Sequence, residues 1–61
     1  MTCKTIKNDN YTIQIFYDYY RNMYIGKFIN IPVPNVYGDT EKEIYDEIEE
    51  AIHRYEDLNK I

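Results

Sequence analysis

The sequence has few of the residues that hold small proteins together covalently or through a metal. Cys3 is the only cysteine and His53 the only histidine among 61 residues. An internal disulfide is therefore impossible, and no cysteine and histidine cluster is available for zinc. A chain of this length buries only about 60% of its unfolded surface. With disulfides and zinc excluded, self-association is the remaining way to stabilise it, so we expect a homodimer.

Long apolar runs are absent as well. No stretch approaches the roughly 20 apolar residues that a membrane span needs. The N-terminal segment MTCKTIKNDN lacks the apolar region of a signal peptide. A single thiol is typical of a reducing compartment. We therefore expect a cytoplasmic protein without a membrane partner.

The charge is unevenly distributed along the chain. Residues 1–40 carry four basic and three acidic side chains, a net charge of +1, whereas residues 41–61 carry three basic and eight acidic ones, a net charge of −5. Affinity for nucleic acids depends on lysine and arginine side chains that neutralise phosphates, so we expect no direct contact with DNA or RNA. The acidic segment is either a solvated helix face or a surface that meets a basic protein.

Two strands are predicted in the first half of the chain. Residues 11–17 show the period of two that is typical of a half-buried strand, and MYIGKFI at 23–29 is rich in β-branched and aromatic residues. Between them, DYYRN begins and ends with the turn-forming Asp18 and Asn22, which predicts a hairpin. Residues 2–7, TCKTIK, either form a further short strand or stay irregular.

Both prolines lie in the segment IPVPNVYGDT, residues 31–40. Pro32 and Pro34 lack amide donors, so the second strand must end there or become an unpaired edge. Residues 36 and 37 are predicted to form a very short third strand. Gly38 is expected to allow a sharp backbone turn into the following helix.

Apolar residues then recur with the period of a helix, predicted over residues 41–59. They form one stripe: Ile44, Ile48, Ala51, Ile52, Tyr55 and Leu58. Thr40, followed three residues later by Glu43, predicts an N-terminal capping box. Lys60 is placed at the C-terminal end, where a cation suits the helix dipole. The order predicts an α+β fold, a small antiparallel sheet packed by one C-terminal amphipathic helix, in a single domain spanning residues 1–61.

Groups suited to catalysis are scarce. His53 lies on the predicted helix one turn after Glu49, which could orient it as a base. No nucleophile lies beside it, since Cys3 is distant in the sequence. Gly26 and Gly38 lack the spacing of a phosphate-binding loop. We expect no enzyme activity, no metal and no cofactor.

Eight tyrosines are the unusual feature of the composition. Tyr11 and Tyr17 are predicted to face the helix, whereas Phe16, Tyr24 and Phe28 are predicted to share the opposite face of the sheet. Tyrosine is either a strand-forming filler or an interface residue, because it offers a large contact area at little entropic cost. The predicted protein contacts are Tyr19, Tyr20, Tyr24, Phe28, Glu49 and Glu50.

Residues 11–56 resemble the N-terminal domain of the HicB antitoxin family and its stand-alone relatives. The family has a Gly-Tyr-hydrophobic strand, a proline-containing loop, a Gly-Asp-Thr sequence and a helix with a Glu-Ala pair. The matching positions are Tyr24, Ile31, Pro32, Gly38, Asp39, Thr40, Glu43, Glu50, Ala51 and Ile52. Ile29 and Val33 depart from it, since HicB proteins often have proline and glycine there.

The resemblance implies a partly RNase H-like fold without its catalytic residues. It also implies a dimer that inhibits HicA, a small basic RNase toxin, by protein contact. Most HicB proteins continue into a DNA-binding segment, whereas this sequence ends at Ile61, so operator binding is not expected.

Three functions remain open at this stage. The first is an antitoxin-like, non-catalytic inhibitor that works as a homodimer and blocks a basic protein. The second is a phage-encoded inhibitor of a host defence system. The third is a structural or accessory dimer without an inhibitory role.

Overall fold

The computed structural model describes residues 3–8 and 10–59, which form one sheet and one helix. The elements are β1 (Cys3–Asn8), β2 (Tyr11–Asp18), β3 (Met23–Phe28), β4 (Val36–Gly38) and α1 (Glu41–Leu58). The strands lie in the order β1-β2-β3-β4, and each neighbouring pair is antiparallel. The predicted α+β fold is confirmed. The stretch left open at residues 2–7 is a strand from Cys3 onward.

The β2–β3 turn comprises residues 19–22. Asp18 Oδ1 accepts hydrogen bonds from the backbone amides of Tyr20, at 2.9 Å, and Arg21, at 3.4 Å. Asn22 has a φ of 54°, a left-handed conformation that asparagine tolerates better than most residues. The two residues predicted to form the turn therefore do so.

The turn length decides which side chains share a face. Four turn residues pair Tyr17 with Tyr24 and Ile13 with Phe28, so these four side chains lie on the face that carries α1, the inner face. The prediction that Tyr24 and Phe28 lie on the opposite face was wrong, because the register, and not the composition, sets the face. Phe16 does lie on that opposite, outer face.

The core lies between the inner face and α1. Its buried members are Ile13, Ile15, Phe28, Ile44 and Ile48. Half-buried apolar side chains surround it, including Tyr24 and Ala51. The predicted helix stripe is right except at its end, since Leu58 is 85% exposed.

The ends of α1 are close to those predicted. The backbone amide of Glu43 donates to Thr40 Oγ1 at 3.1 Å, as expected of an N-cap. The reciprocal bond from the Thr40 amide to the Glu43 carboxylate is not among the bonds of the described residues, so only half of the capping box forms. Asn59 caps the C-terminal end, and Lys60 lies outside the described residues.

Two glycines bring α1 close to the sheet. A Cβ atom at Gly38 would lie 2.7 Å from the backbone nitrogen of Ile44. A Cβ atom at Gly26 would lie 2.9 Å from Val36 Cγ2 and 3.2 Å from Ile48 Cδ1. Neither glycine has a positive φ. Gly38 is therefore needed for close packing, and not for the sharp turn that the sequence suggested.

The helix is offset toward one edge of the sheet. Its Cα atoms come within 8 Å of those of β3 and β4, but not of β1 and β2. On the β4 side, the proline-containing loop covers its flank, with Ile31 and Val33 packed against the core. As predicted, β3 ends before Pro32. Within residues 3–8 and 10–59, no such loop covers the flank that faces β1.

We predict that alanine destabilises the fold more at Gly38 than at Gly26. Gly38→Ala should lower the free energy of unfolding by about 1–3 kcal/mol, because the added methyl meets helix backbone that cannot move aside. Gly26→Ala should lower it by less than Gly38→Ala does, because side-chain atoms can shift where helix backbone cannot. Its methyl meets the ends of two side chains, and alanine also restricts the unfolded chain, which contributes about 0.4–1 kcal/mol.

Urea unfolding at one fixed protein concentration would test this difference. A Gly38→Ala midpoint equal to that of the wild type would show that α1 does not depend on close approach at Gly38.

Candidate protein-binding surfaces

The six predicted contact residues do not form one surface. Tyr19 and Tyr20 lie in the hairpin turn and are 65% and 100% exposed. Tyr24 is half-buried on the inner face. Phe28 is only 6% exposed and belongs to the core under α1, so its prediction as a partner contact was wrong.

Three tyrosine rings pack together near the hairpin turn. The ring centroid of Tyr17 lies 4.9 Å from those of Tyr19 and Tyr24, with an interplanar angle of 73° in both pairs. Such edge-to-face pairs are worth about 0.5–1.5 kcal/mol beyond area burial. The Tyr20 ring is fully exposed and makes no ring contact with the described residues. Tyr20 is therefore the tyrosine of the turn that is available to a partner.

The two predicted glutamates have different surroundings. Glu50 accepts a hydrogen bond from Arg54 one turn later, which forms an ion pair. Glu49 has no ion pair or hydrogen bond within the described residues, and it lies on the helix flank that faces β1 and β2. The expected pairing of His53 with Glu49 is not formed in that part of the chain.

An apolar row crosses the outer face from one edge of the sheet to the other. The strand register places Cys3 beside Phe16, Phe16 beside Ile25, and Ile25 beside Tyr37. We call these four residues the outer row. Ile25 is buried although no helix covers this face, and Tyr37 at the β4 edge is 45% exposed. Polar side chains flank the row, including Lys27 on β3.

A groove runs along the other side of the sheet, between α1 and the inner face of β1 and β2. This inner groove has a volume of about 410 Å³. Ile13 and Ile48 form its floor, whereas Ile6 and Ile52 are half-buried in its walls. The polar rim consists of Tyr11, Tyr45, Glu49, His53 and Glu56.

Two polar contacts join the sheet to the helix on the groove side. Near the start of α1, Lys4 Nζ lies 4.0 Å from Glu41 Oε2. Near its end, the Tyr11 hydroxyl donates to Glu56 Oε2 at 2.9 Å. The two helix positions are 15 residues apart in the sequence, about 22 Å at 1.5 Å per residue. Of these contacts, only that of Tyr11 with Glu56 is made by residues that line the groove.

The described residues contain no group of three His, Cys, Asp or Glu side chains that could hold a metal ion. No helix among them is long and apolar enough to cross a membrane.

No protein-family model, curated protein or solved structure matches this chain. The resemblance to the HicB family therefore stays an inference from the sequence.

Several residues that line the two surfaces were not predicted as contacts from the sequence. Tyr37 was assigned to a short strand without a role, and Ile6 lies in the segment that was left open. Tyr45 is on the helix beside the apolar stripe, so it carried no signal of its own. The alternation of Lys4 and Ile6 with exposed neighbours could have indicated a strand with one face turned to the helix.

We predict that the tyrosines of the turn region divide into structural and exposed residues. Tyr17→Ala should lower the free energy of unfolding by at least about 1 kcal/mol, because it removes two ring contacts. Tyr20→Ala should change it by no more than about 0.5 kcal/mol, as is usual for an exposed site. Urea unfolding of both variants at the same concentration measures the difference. A cost at Tyr20 as large as at Tyr17 would contradict the assignment.

Proposed function

We propose that this chain is a non-catalytic, protein-binding inhibitor of the antitoxin type. It acts in the cytoplasm as a homodimer and blocks a basic protein by covering part of its surface. By the HicB resemblance, that protein is a small RNase toxin.

One observation carries the proposal: the two faces of the sheet carry uncovered apolar surfaces of different charge. The outer row is flanked by Lys27 and by the half-buried Asp18. The inner groove is rimmed by the carboxylates of Glu49 and Glu56. Apolar surfaces with polar rims are typical of protein interfaces. Their difference in charge supports two different occupants.

The outer row is suited to a second copy of the chain. A two-fold axis along the row would reverse the strand direction of the second copy. The end of the face that carries Asp18, which is already paired with Arg21, would then lie over the end that carries Lys27, so the Lys27 side chains of the two copies are kept apart. Burying the exposed ring of Tyr37 adds apolar contact. A standard interface takes about 800 Å² from each copy, roughly one sixth of the 4793 Å² surface.

Self-association through the outer row has a direct test. The chain should sediment at micromolar concentration as a species of twice 7.5 kDa. Tyr37→Lys should shift it to the monomer, because two lysines would face each other near the apolar row. Tyr20→Lys is the matched control and should stay dimeric, since Tyr20 lies off this face.

A wild-type chain that sediments only as a 7.5 kDa species would contradict the dimer. Equal association of Tyr37→Lys and the wild type would place the interface elsewhere.

Inhibition of a basic partner is tested by capture and assay. The tagged chain, used as bait in a lysate of its native host, should enrich a basic protein at low salt. That protein should be released at high salt, where the Debye length falls to about 3 Å at 1 M. The purified partner should then lose its activity, RNA cleavage for a HicA-like toxin, as the chain is titrated to equal amounts.

The identity of the captured protein distinguishes a toxin from a component of a defence system. A partner whose activity is unchanged at saturation would instead favour an accessory dimer without an inhibitory role.

A further inference from the structure

An open hollow lies where the hairpin end of the sheet meets the start of α1. Its volume is about 500 Å³. The strand register brings its walls together, because Tyr17 pairs with Tyr24, which in turn pairs with Gly38. Asp39 follows Gly38, and Tyr19 lies in the turn after β2. We call this feature the tyrosine hollow; its lining residues are Tyr17, Tyr19, Tyr24, Asp39, Thr40 and Glu41.

The aromatic wall of the hollow suits a cation. The face of a tyrosine ring is electronegative and attracts a cation within about 6 Å of the ring centroid. The Tyr17 centroid lies 4.9 Å from those of Tyr19 and Tyr24, with an interplanar angle of 73° in both pairs. The three rings therefore form one angled surface. Tyr19 is 65% exposed, so a ligand can reach its ring.

Asp39 adds a negative charge beside these rings. It has no hydrogen bond or ion pair in residues 3–8 and 10–59, because Thr40, and not Asp39, caps the helix. Glu41 lies 4.0 Å from Lys4 Nζ, in an exposed pair that is weak in water. The start of a helix disfavours a cation, but Glu41 and Glu43 in the first turn offset that partial charge. A cation that meets Asp39 displaces no existing partner in the described part of the chain.

The spacing of the rings favours a flat cation. A compact ammonium held between two ring faces needs about 7–8 Å between them, twice an ordinary contact distance. The centroid of Tyr17 is only 4.9 Å from each neighbouring centroid, which leaves no such gap. A planar guanidinium stacks on one ring face and donates the N–H groups at its edge to a carboxylate. Arginine therefore fits the rings and Asp39 together better than lysine does.

The arginines of the chain itself are engaged elsewhere. The sequence contains only two, Arg21 and Arg54. Arg21 is paired with Asp18 in the hairpin, and Arg54 is paired with Glu50 on α1. A second copy brings arginines that are paired in the same way. The hollow is therefore better suited to an arginine from a different protein.

We infer that the tyrosine hollow binds an arginine side chain of the basic partner, with its guanidinium stacked on the Tyr19 ring and donating to the Asp39 carboxylate. This inference rests on the proposed function and adds the place and the chemistry of one contact. Arginine and tyrosine are both enriched among the residues that dominate the energy of protein interfaces.

The probe is a capped tripeptide with arginine between two glycines, titrated into the isotope-labelled chain and followed by amide NMR. Two control peptides carry lysine or citrulline instead; citrulline has nearly the shape of arginine but a neutral urea group. We expect the arginine peptide to bind at least about fivefold more tightly than the citrulline peptide and about threefold more tightly than the lysine peptide. The amide signals of Tyr19, Tyr24 and Asp39 should shift, whereas those of Ile25 in the outer row and Ile52 in the inner groove should not.

Two aspartates supply matched variants of the chain. Asp39→Asn removes the carboxylate of the hollow and should weaken binding of the arginine peptide about fivefold at low salt. Asp57→Asn removes the same charge near the other end of α1, about 24 Å along the helix from Glu41 at 1.5 Å per residue. It should change the affinity by less than about twofold, because salt screens charges at that distance. Both aspartates are exposed, so both variants should fold.

Ring variants test the stacking contact. Tyr19→Phe keeps the ring and should bind the arginine peptide within about twofold of the wild type, whereas Tyr19→Leu removes the ring and should lose at least about threefold. Tyr20→Leu removes an exposed ring that does not line the hollow, so it should bind like the wild type. The amide spectrum of each free variant checks its fold, and the two aspartate variants decide the matter if Tyr19→Leu does not fold.

Any of several outcomes would overturn the inference. They are binding of the lysine or the citrulline peptide as tight as that of the arginine peptide, equal effects of Asp39→Asn and Asp57→Asn, equal affinities of folded Tyr19→Leu and Tyr19→Phe, and peptide shifts confined to the outer row or the inner groove. Should one of these occur while the captured partner is still inhibited, the proposed function would stand with another contact. Should the arginine peptide bind in the hollow while no basic partner is inhibited, the proposed function alone would fail.

Discussion

The arrangement of this molecule depends on the absence of a Cβ atom at two positions on the inner face of the sheet. Gly38 lies against the backbone of the first turn of α1, and Gly26 lies against Ile48 one turn further along. Ordinary side chains at both sites would hold the helix away from β3 and β4, and dispersion contacts fall steeply with such gaps. The glycines therefore fix both the height of the helix and its position near one edge.

That position has a cost and a consequence. The buried core contains few large side chains, with Ile13 and Ile44 the most completely buried. A core of this size rarely supplies more than about 3–5 kcal/mol. Tyr37 in the outer row is 45% exposed, and Ile6 and Ile52 in the inner groove are half-buried, so an isolated chain leaves some apolar surface in water. Any protein that binds only the folded form stabilises it by mass action, about 2.7 kcal/mol at 100 times its Kd. Binding and folding stability are therefore coupled in this chain.

Local patterns in the sequence predicted the strands and the helix, but not how these elements are placed relative to one another. The helical period and Thr40 predicted α1 to within one residue at its C-terminal end, and Asp18 with Asn22 located the hairpin turn. The fold class followed from the order of the elements. The side of the sheet on which each β3 side chain lies could not be predicted in this way. It depends on how many residues the turn contains, because a change of one residue exchanges the two faces.

Long-range contacts could not be predicted from the sequence either. Asn30 accepts a hydrogen bond from the Thr12 amide at 3.0 Å and donates to the Asn10 carbonyl at 2.7 Å, which ties the end of β3 to the β1–β2 turn. An asparagine beside a proline-rich loop gives no sign of such a role. The position of α1 near one edge of the sheet likewise follows from contacts at Gly26 and Gly38. The sequence shows two glycines there but does not reveal that α1 packs against them. The inner groove could not be predicted for that reason.

The two faces of the sheet also differ in charge. On the inner side, Glu50 is neutralised by Arg54, whereas Glu49 next to it is not, so the unpaired carboxylate lies on the groove side of the helix. On the outer side, Lys7 and Lys27 have no ion pair within the described residues. The basic partner that we propose would therefore meet carboxylates on the groove side and lysines on the outer face. Specificity of this kind needs repulsion at the wrong site as well as attraction at the right one. The pairing of Glu50 with Arg54 therefore leaves Glu49 as the unpaired carboxylate of the two, on the flank of α1 that faces β1 and β2.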